Sequence, residues 1–187
     1  MRLGKPRITP VDFDRATPEQ REVLEPFVGG VGLLNIFRTM ARTPKALKRF
    51  NVWGGYILGR GTSLGARERE LVILRTGWQC RSGYEWVQHS RIGLQSGLTQ
   101  AEIEAIKEGQ DAPGWTPTEA AMLRATDELV ADKFVTDATW AALDALTEAQ
   151  RMDLVYTVAQ YTQVSMILNS FGVQLDPGQT LDADFPA

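Results

Sequence analysis

Ala66-Arg67-Glu68-Arg69-Glu70-Leu71-Val72-Ile73-Leu74 is the stretch that decides the fold. Its charged first turn leads into four consecutive large apolar residues, which on a helix of 3.6 residues per turn point to every side. A helix that is apolar all round must be enclosed by others, so this one is expected at the centre of the molecule. Helix punctuation repeats outward from it in both directions. Thr17-Pro18-Glu19-Gln20 gives an N-cap hydroxyl, a proline at the first helical position and a glutamine three residues on, starting a helix to about Phe27. Thr43-Pro44 repeats the start ahead of Leu47, Phe50, Tyr56 and Ile57, with Gly54-Gly55 permitting a bend or a close backbone approach. Ser82-Gly83-Tyr84-Glu85 reads as a further capping box, for a helix closed by Gly97 in the left-handed position after its end. Thr99 with Glu102, Thr116-Pro117-Thr118-Glu119 and Thr147 with Gln150 start three more. Alternating β-branched runs around Asn-Gly turns are nearly absent, so the expectation is an all-α bundle of at least six helices in helical hairpins.

The chain has 187 residues, 43% hydrophobic and 23% charged, which fits one globular domain over 1–187, with a core from about 35 to 175. The N-terminal arm is expected to be irregular. The same holds for the tail from Asp176, rich in Asp, Pro and Gly, which is also expected to be mobile. A formal net charge of -3 gives no general attraction for polyanions, excluding nucleic acid or an anionic membrane surface as the main partner. Met1 to Asp14 lacks the apolar run of a secretory signal. Leu154 to Leu175 is uncharged and long enough to span a bilayer. It also carries Thr157, Gln160, Thr162, Gln163, Ser165, Asn169 and Ser170, so it reads as a buried helix whose polar groups face a pocket or a subunit contact. One cysteine, Cys80, excludes an intrachain disulfide and makes the cytoplasm the expected compartment.

His89 is the only histidine, and Glu85 lies four residues before it, on the same helix face. A carboxylate beside an imidazole can orient it and hold it ready for proton transfer near neutral pH. Glu85 has a second reading, as the capping partner of Ser82, and Glu70 likewise as a first-turn carboxylate favoured by the helix dipole. Cys80 falls at a helix C-terminus, where the partial negative charge disfavours a thiolate. Tyr84 and Trp86 are candidates to line a pocket with Trp53 and Tyr56. Gln160 and Gln163 add amides on one helix face, and Arg38, Arg75, Arg81 and Arg91 are candidates for an anionic group on the substrate. No cluster of ligands suggests a metal, and no glycine-rich loop suggests a nucleotide cofactor.

Taken in order, Arg67 to Leu74, then Tyr84-Glu85-Trp86 and His89, then Gly97-Leu98-Thr99 with Glu102-Ile103 resemble the carboxymuconolactone decarboxylase family, whose superfamily includes alkylhydroperoxidase D. The resemblance is clearest from about Ala66 to Gly109; Asn35-Ile36-Phe37-Arg38 and Asn169-Ser170-Phe171-Gly172 look like segments of longer members. It implies the alkylhydroperoxidase D-like helical-hairpin fold, a homotrimer or hexamer, and a pocket near a subunit interface. It also implies catalytic roles for Glu85 and His89, which match the decarboxylase pair, and for Glu70, which matches a proton-relay glutamate. The peroxidase branch has a C-x-x-C pair where this chain has Ser82 and Glu85. The function expected is therefore a cofactor-independent decarboxylase, isomerase or related lyase acting on a small carbonyl or lactone compound. A thiol-dependent peroxidase is the alternative, and a non-catalytic oligomeric binding protein is the second.

Overall fold

The computed structural model describes residues 1–29 and 32–185. Among them are nine α-helices, one 3-10 turn (Phe13–Arg15) and no strand. The helices are α1 (Pro18–Val28), α2 (Asn35–Met40), α3 (Pro44–Leu58), α4 (Ala66–Gln79), α5 (Gly83–Gln95), α6 (Gln100–Glu108), α7 (Pro117–Asp132), α8 (Asp137–Ala142) and α9 (Glu148–Phe171). Helices α2 and α8 are two that the terminus signals above did not mark. Among the described residues no helix is long and apolar enough to cross a membrane.

Helix α4 is the axis around which α5, α6, α7 and α9 pack. Leu71, Val72, Ile73 and Leu74 are all fully buried, each toward a different neighbourhood. Leu71 and Leu74 meet Trp86, Leu98, Ile103, Ile106 and Leu123. Val72 joins Met122, Ala125, Leu143, Leu154 and Val158, while Ile73 joins Tyr84, Tyr161, Val164 and Leu168. Each such side chain contributes about 1.5–3 kcal/mol relative to exposure.

Capping boxes close at Thr17, Thr99, Thr116 and Thr147, with the side chain of each box partner reaching back to the cap backbone. At Ser82 and Thr43 no side-chain cap forms. Thr43 Oγ1 donates back to the Met40 carbonyl, and the Ser82 hydroxyl has no partner among the described residues because Glu85 turns into the interior. Helix α3 runs unbroken through Gly54 and Gly55, and nothing stands within 4 Å of where their Cβ atoms would be.

The turn from α4 into α5 sets up the site. Ser82 N–H donates to the Gly77 carbonyl and Arg81 N–H to that of Trp78, the paired bonds that close a helix on a left-handed residue. That residue is Arg81, with φ of 52°, where glycine is usual. Gly172 ends α9 at φ 68°, and a Cβ there would come within 2.9 Å of the Lys5 carbonyl, so the N-terminal arm crosses the helix end at backbone contact.

The tail is irregular, as expected, but pinned rather than mobile. Tyr84 OH and Gln88 Nε2 donate to Asp176 Oδ2 at 2.6 and 2.8 Å, and Trp86 Nε1 donates to Asp182. Phe185 is buried against Trp78 and Trp86.

Candidate functional site

Helices α4, α5 and α9 bring their buried polar residues to one place. On α5, Glu85 and His89 share the face turned toward the interior. Glu70 comes from α4, with a side chain that is 0% exposed, and Tyr161 and Ser165 come from α9. His89 Nδ1 and Glu70 Oε2 are 2.6 Å apart, short enough for a charge-assisted bond. With Glu70 ionised, Nδ1 carries the proton and donates it. A neutral imidazole in that tautomer presents Nε2, which has no hydrogen bond among the described residues, as its basic lone pair. The imidazole stands edge-on to the Tyr161 ring, with centroids 4.9 Å apart.

Glu85 does not touch the imidazole through a hydrogen bond, so the orienting partner is Glu70 rather than Glu85. The two share a face, but the Glu85 carboxyl turns away, accepting from Ser165 Oγ at 3.1 Å. Its other oxygen is buried without a partner among the described residues. That oxygen lies over Gly77, where a Cβ would stand 2.9 Å away, so the glycine leaves the space the carboxyl fills. Burial pushes the Glu85 carboxyl well above the ordinary carboxylate range, nearby Glu70 pushes it further, and the Ser165 bond only partly opposes this. Tyr161 is likewise driven well above an ordinary phenol by burial, with Glu70 and Glu85 adding to the effect. Glu85 and Tyr161, both biased toward their neutral forms, thus flank the Glu70 carboxyl that bonds to His89.

Cys80 ends α4 beside this cluster, half-buried, and its carbonyl accepts from Asn169 Nδ2. Burial first, and Glu85 second, push its thiol up, away from the thiolate.

Other candidate residues lie elsewhere. Tyr84 and Trp86 are buried in holding the C-terminal tail, so neither lines a pocket with Trp53 and Tyr56. Trp53 stacks on Tyr56 at 5.3 Å, and Tyr56 is tied to Asp153. Gln160 is buried while Gln163 is exposed, so the two amides do not share a polar pocket in this chain. Arg75 is consumed by Asp127 and two carbonyls, Arg38 by Val11 and Asn35, and Arg81 and Arg91 are exposed. Among the described residues no group of three or more His, Cys, Asp or Glu is arranged to hold a metal ion.

Sequence reasoning gave no role to Arg69 or Tyr161 and counted Ser165 only among the polar residues of its helix. Arg69 Nε lies 3.7 Å from Glu70 Oε1, an electrostatic contact without a hydrogen bond. For the α9 residues a signal was present: Thr157, Tyr161, Ser165 and Asn169 recur at every fourth position, one polar stripe along an otherwise apolar helix.

The folded chain is similar to solved structures of the alkylhydroperoxidase core. One, an uncharacterized peroxidase-related protein from Ralstonia eutropha, is 19% identical at a TM-score of 0.79, covering 92% of this chain and 93% of that one. Another peroxidase-related protein, from Silicibacter sp., is 14% identical at 0.78, covering 94% and 95%. A cysteine-to-alanine variant of the debrominase Bmp8, in complex with 2,3,4-tribromopyrrole, is 15% identical at 0.74, covering 93% and 94%. At these identities the likeness establishes the alkylhydroperoxidase D-like fold. The comparison with curated proteins gives no match. Residues 44–128 match the model of the carboxymuconolactone decarboxylase family.

Proposed function

We propose that the protein is a cofactor-independent acid-base enzyme, a decarboxylase, isomerase or related lyase, acting on a small carbonyl or lactone compound. The observation that carries this is the 2.6 Å bond between His89 Nδ1 and the buried Glu70 carboxylate, which leaves Nε2 as the base. In this reading Nε2 removes a proton from a carbon next to the carbonyl, and the imidazolium formed is stabilised by Glu70. Glu85, whose burial favours the protonated carboxyl, is the acid that meets charge developing on the carbonyl oxygen. Proton transfer of this kind is worth about 10²–10⁴-fold in rate.

The thiol-peroxidase alternative has less support. Cys80 has no second cysteine to resolve an oxidised intermediate, and its surroundings hold it as a thiol. As part of the same proposal the chain works in the cytoplasm as a homo-oligomer, a trimer or hexamer. Val52 at 71% and Met166 at 60% exposed, with Trp53 and Leu58, supply apolar surface for such contacts.

The test is a panel of lactones, β-keto acids and hydroperoxides given to the purified protein. Turnover of a lactone or keto acid without added thiol is the expected outcome. Turnover confined to hydroperoxides, dependent on a dithiol reductant, would replace this reading with the peroxidase one.

A further inference from the structure

Helix α5 is held from two sides. Glu85 and His89 face the interior, while Tyr84 and Gln88, each one residue earlier and so about 100° round the axis, face the C-terminal tail. Both outer side chains donate to one oxygen of Asp176, Tyr84 OH at 2.6 Å and Gln88 Nε2 at 2.8 Å. Its other oxygen accepts the Asn35 N–H at 2.7 Å, at the start of α2. Asp176, Tyr84 and Gln88 are all buried. Burial, and after it the bond to Asp176, keeps the Tyr84 phenol protonated and therefore a donor. The tail lies directly on the helix: a Cβ at Gly83, the first residue of α5, would stand 2.6 Å from Leu181 Cδ1.

A carboxylate that grips two positions one turn apart fixes the rotation of a helix about its own axis. Asp176 is itself fixed to α2, and the Asn35 side chain holds the tail a second time by donating to the Gln174 and Leu175 carbonyls. The inner pair shares the rotation so set. A side-chain atom about 6 Å from the axis moves about 1 Å when α5 turns by about 10°. His89 Nδ1 and Glu70 Oε2 are 2.6 Å apart, so a further separation of about 1 Å takes the pair out of hydrogen-bond distance. Without Asp176, Tyr84 and Gln88 are buried donors lacking an acceptor, and α5 turns to give them one.

From this geometry we infer that Asp176 is a positioning residue of the site, setting through Tyr84 and Gln88 the angle at which His89 meets Glu70. The inference rests on the proton-transfer reading above and extends its machinery to the tail. Asp176 lies outside residues 44–128, and its hydrogen bonds among the described residues go to α2, α5 and the tail itself, none to His89 or Glu70. It acts on the chemistry only by way of α5.

The test reads the bond that Asp176 is inferred to set. His89 is the sole histidine, so its ring N–H gives one proton NMR signal, carried far downfield and shielded from exchange by the short bond to Glu70. In Asp176→Ala that signal should move upfield or vanish by exchange with water, and kcat on a substrate found in the panel should fall by about tenfold or more with KM little changed. Asp176→Asn, which keeps one acceptor oxygen, and Tyr84→Phe, which removes one donor and leaves Asp176 in place, should shift the signal the same way by less. Thr116→Ala strips a capping box from α7 and lowers the Tm without touching α5, so it should leave the signal where it is. A wild-type signal in folded Asp176→Ala, or in Tyr84→Phe should the alanine variant not fold, would overturn the inference. An equal shift in Thr116→Ala would overturn it as well, since Asp176 would then be only structural. The proton-transfer reading fails separately, by turnover that survives His89→Gln, which leaves the NMR result standing.

Discussion

Replacing Gly77 by Ala sets two known effects against each other. Gly77 lies in the last turn of α4, and glycine to alanine within a helix normally gains about 0.5–1 kcal/mol. Here the new methyl would stand 2.9 Å from Glu85 Oε1 and 3.5 Å from its Cδ. Reaching an ordinary contact of about 3.4 Å moves the oxygen by about 0.5 Å, in a place closed by α9 and held by Ser165. Overpacking of this kind costs about 1–3 kcal/mol, so the two effects leave Gly77→Ala between neutral and about 2 kcal/mol less stable. Activity should suffer more, because the group that moves is the proposed acid, and a displacement near 1 Å can cost about 10²-fold. Urea unfolding gives the stability and steady-state turnover the rate. In a Glu85→Ala background the obstruction is gone, and the same substitution should recover its gain of about 0.5–1 kcal/mol, a coupling read by the double-mutant cycle. A single Gly77→Ala variant that is more stable by that amount and turns over at the wild-type rate would refute the placement of Glu85.

Glu85→Gln tests the charge state of that carboxyl. A folded value raised above the ordinary 4.5 means that the stability Glu85 contributes is complete below about pH 4.5 and is lost as pH rises toward the folded value. The glutamine variant should therefore match the wild type near pH 4 and exceed it increasingly at higher pH in urea midpoints; a pH-independent difference would contradict this. Arg81→Gly relieves a left-handed residue worth about 1–2 kcal/mol, less the extra chain entropy of glycine, so thermal unfolding should show a net gain of about 0.5–1 kcal/mol. Cys80→Ser should leave lactone or keto-acid turnover largely unchanged, whereas loss of an efficient peroxide turnover in that variant would restore the thiol mechanism.

What could be read from the sequence was what is local. Thr17, Thr99, Thr116 and Thr147 cap their helices through partners three residues away, and the run from Leu71 to Leu74 needs only the helical period to be placed at the centre. The Ser82 box failed although its spacing was right, because Glu85 is drawn to Ser165, eighty residues away in sequence. The same holds for the tail. Its composition is that of a loose end, yet Asp176 and Asp182 are acceptors for Tyr84, Gln88 and Trp86, pairings that local composition does not announce. Within the site, the approach of Glu70 to His89 could be expected from the family resemblance. The different partners of Arg67, Arg69 and Arg75 could not, since the three look alike until their acceptors are known. The α9 stripe through Tyr161 and Ser165 was present in the spacing and passed over in favour of Gln160 and Gln163.

The central claim is that His89 moves a proton at carbon, and isotope incorporation tests it most directly. In D₂O, with a substrate identified from the panel, the wild type should place deuterium at the carbon beside the carbonyl, and NMR reads its position. His89→Gln, folded as judged by circular dichroism, should lose that labelling by about 10²–10⁴-fold. Labelling at the wild-type rate in the glutamine variant would contradict the account.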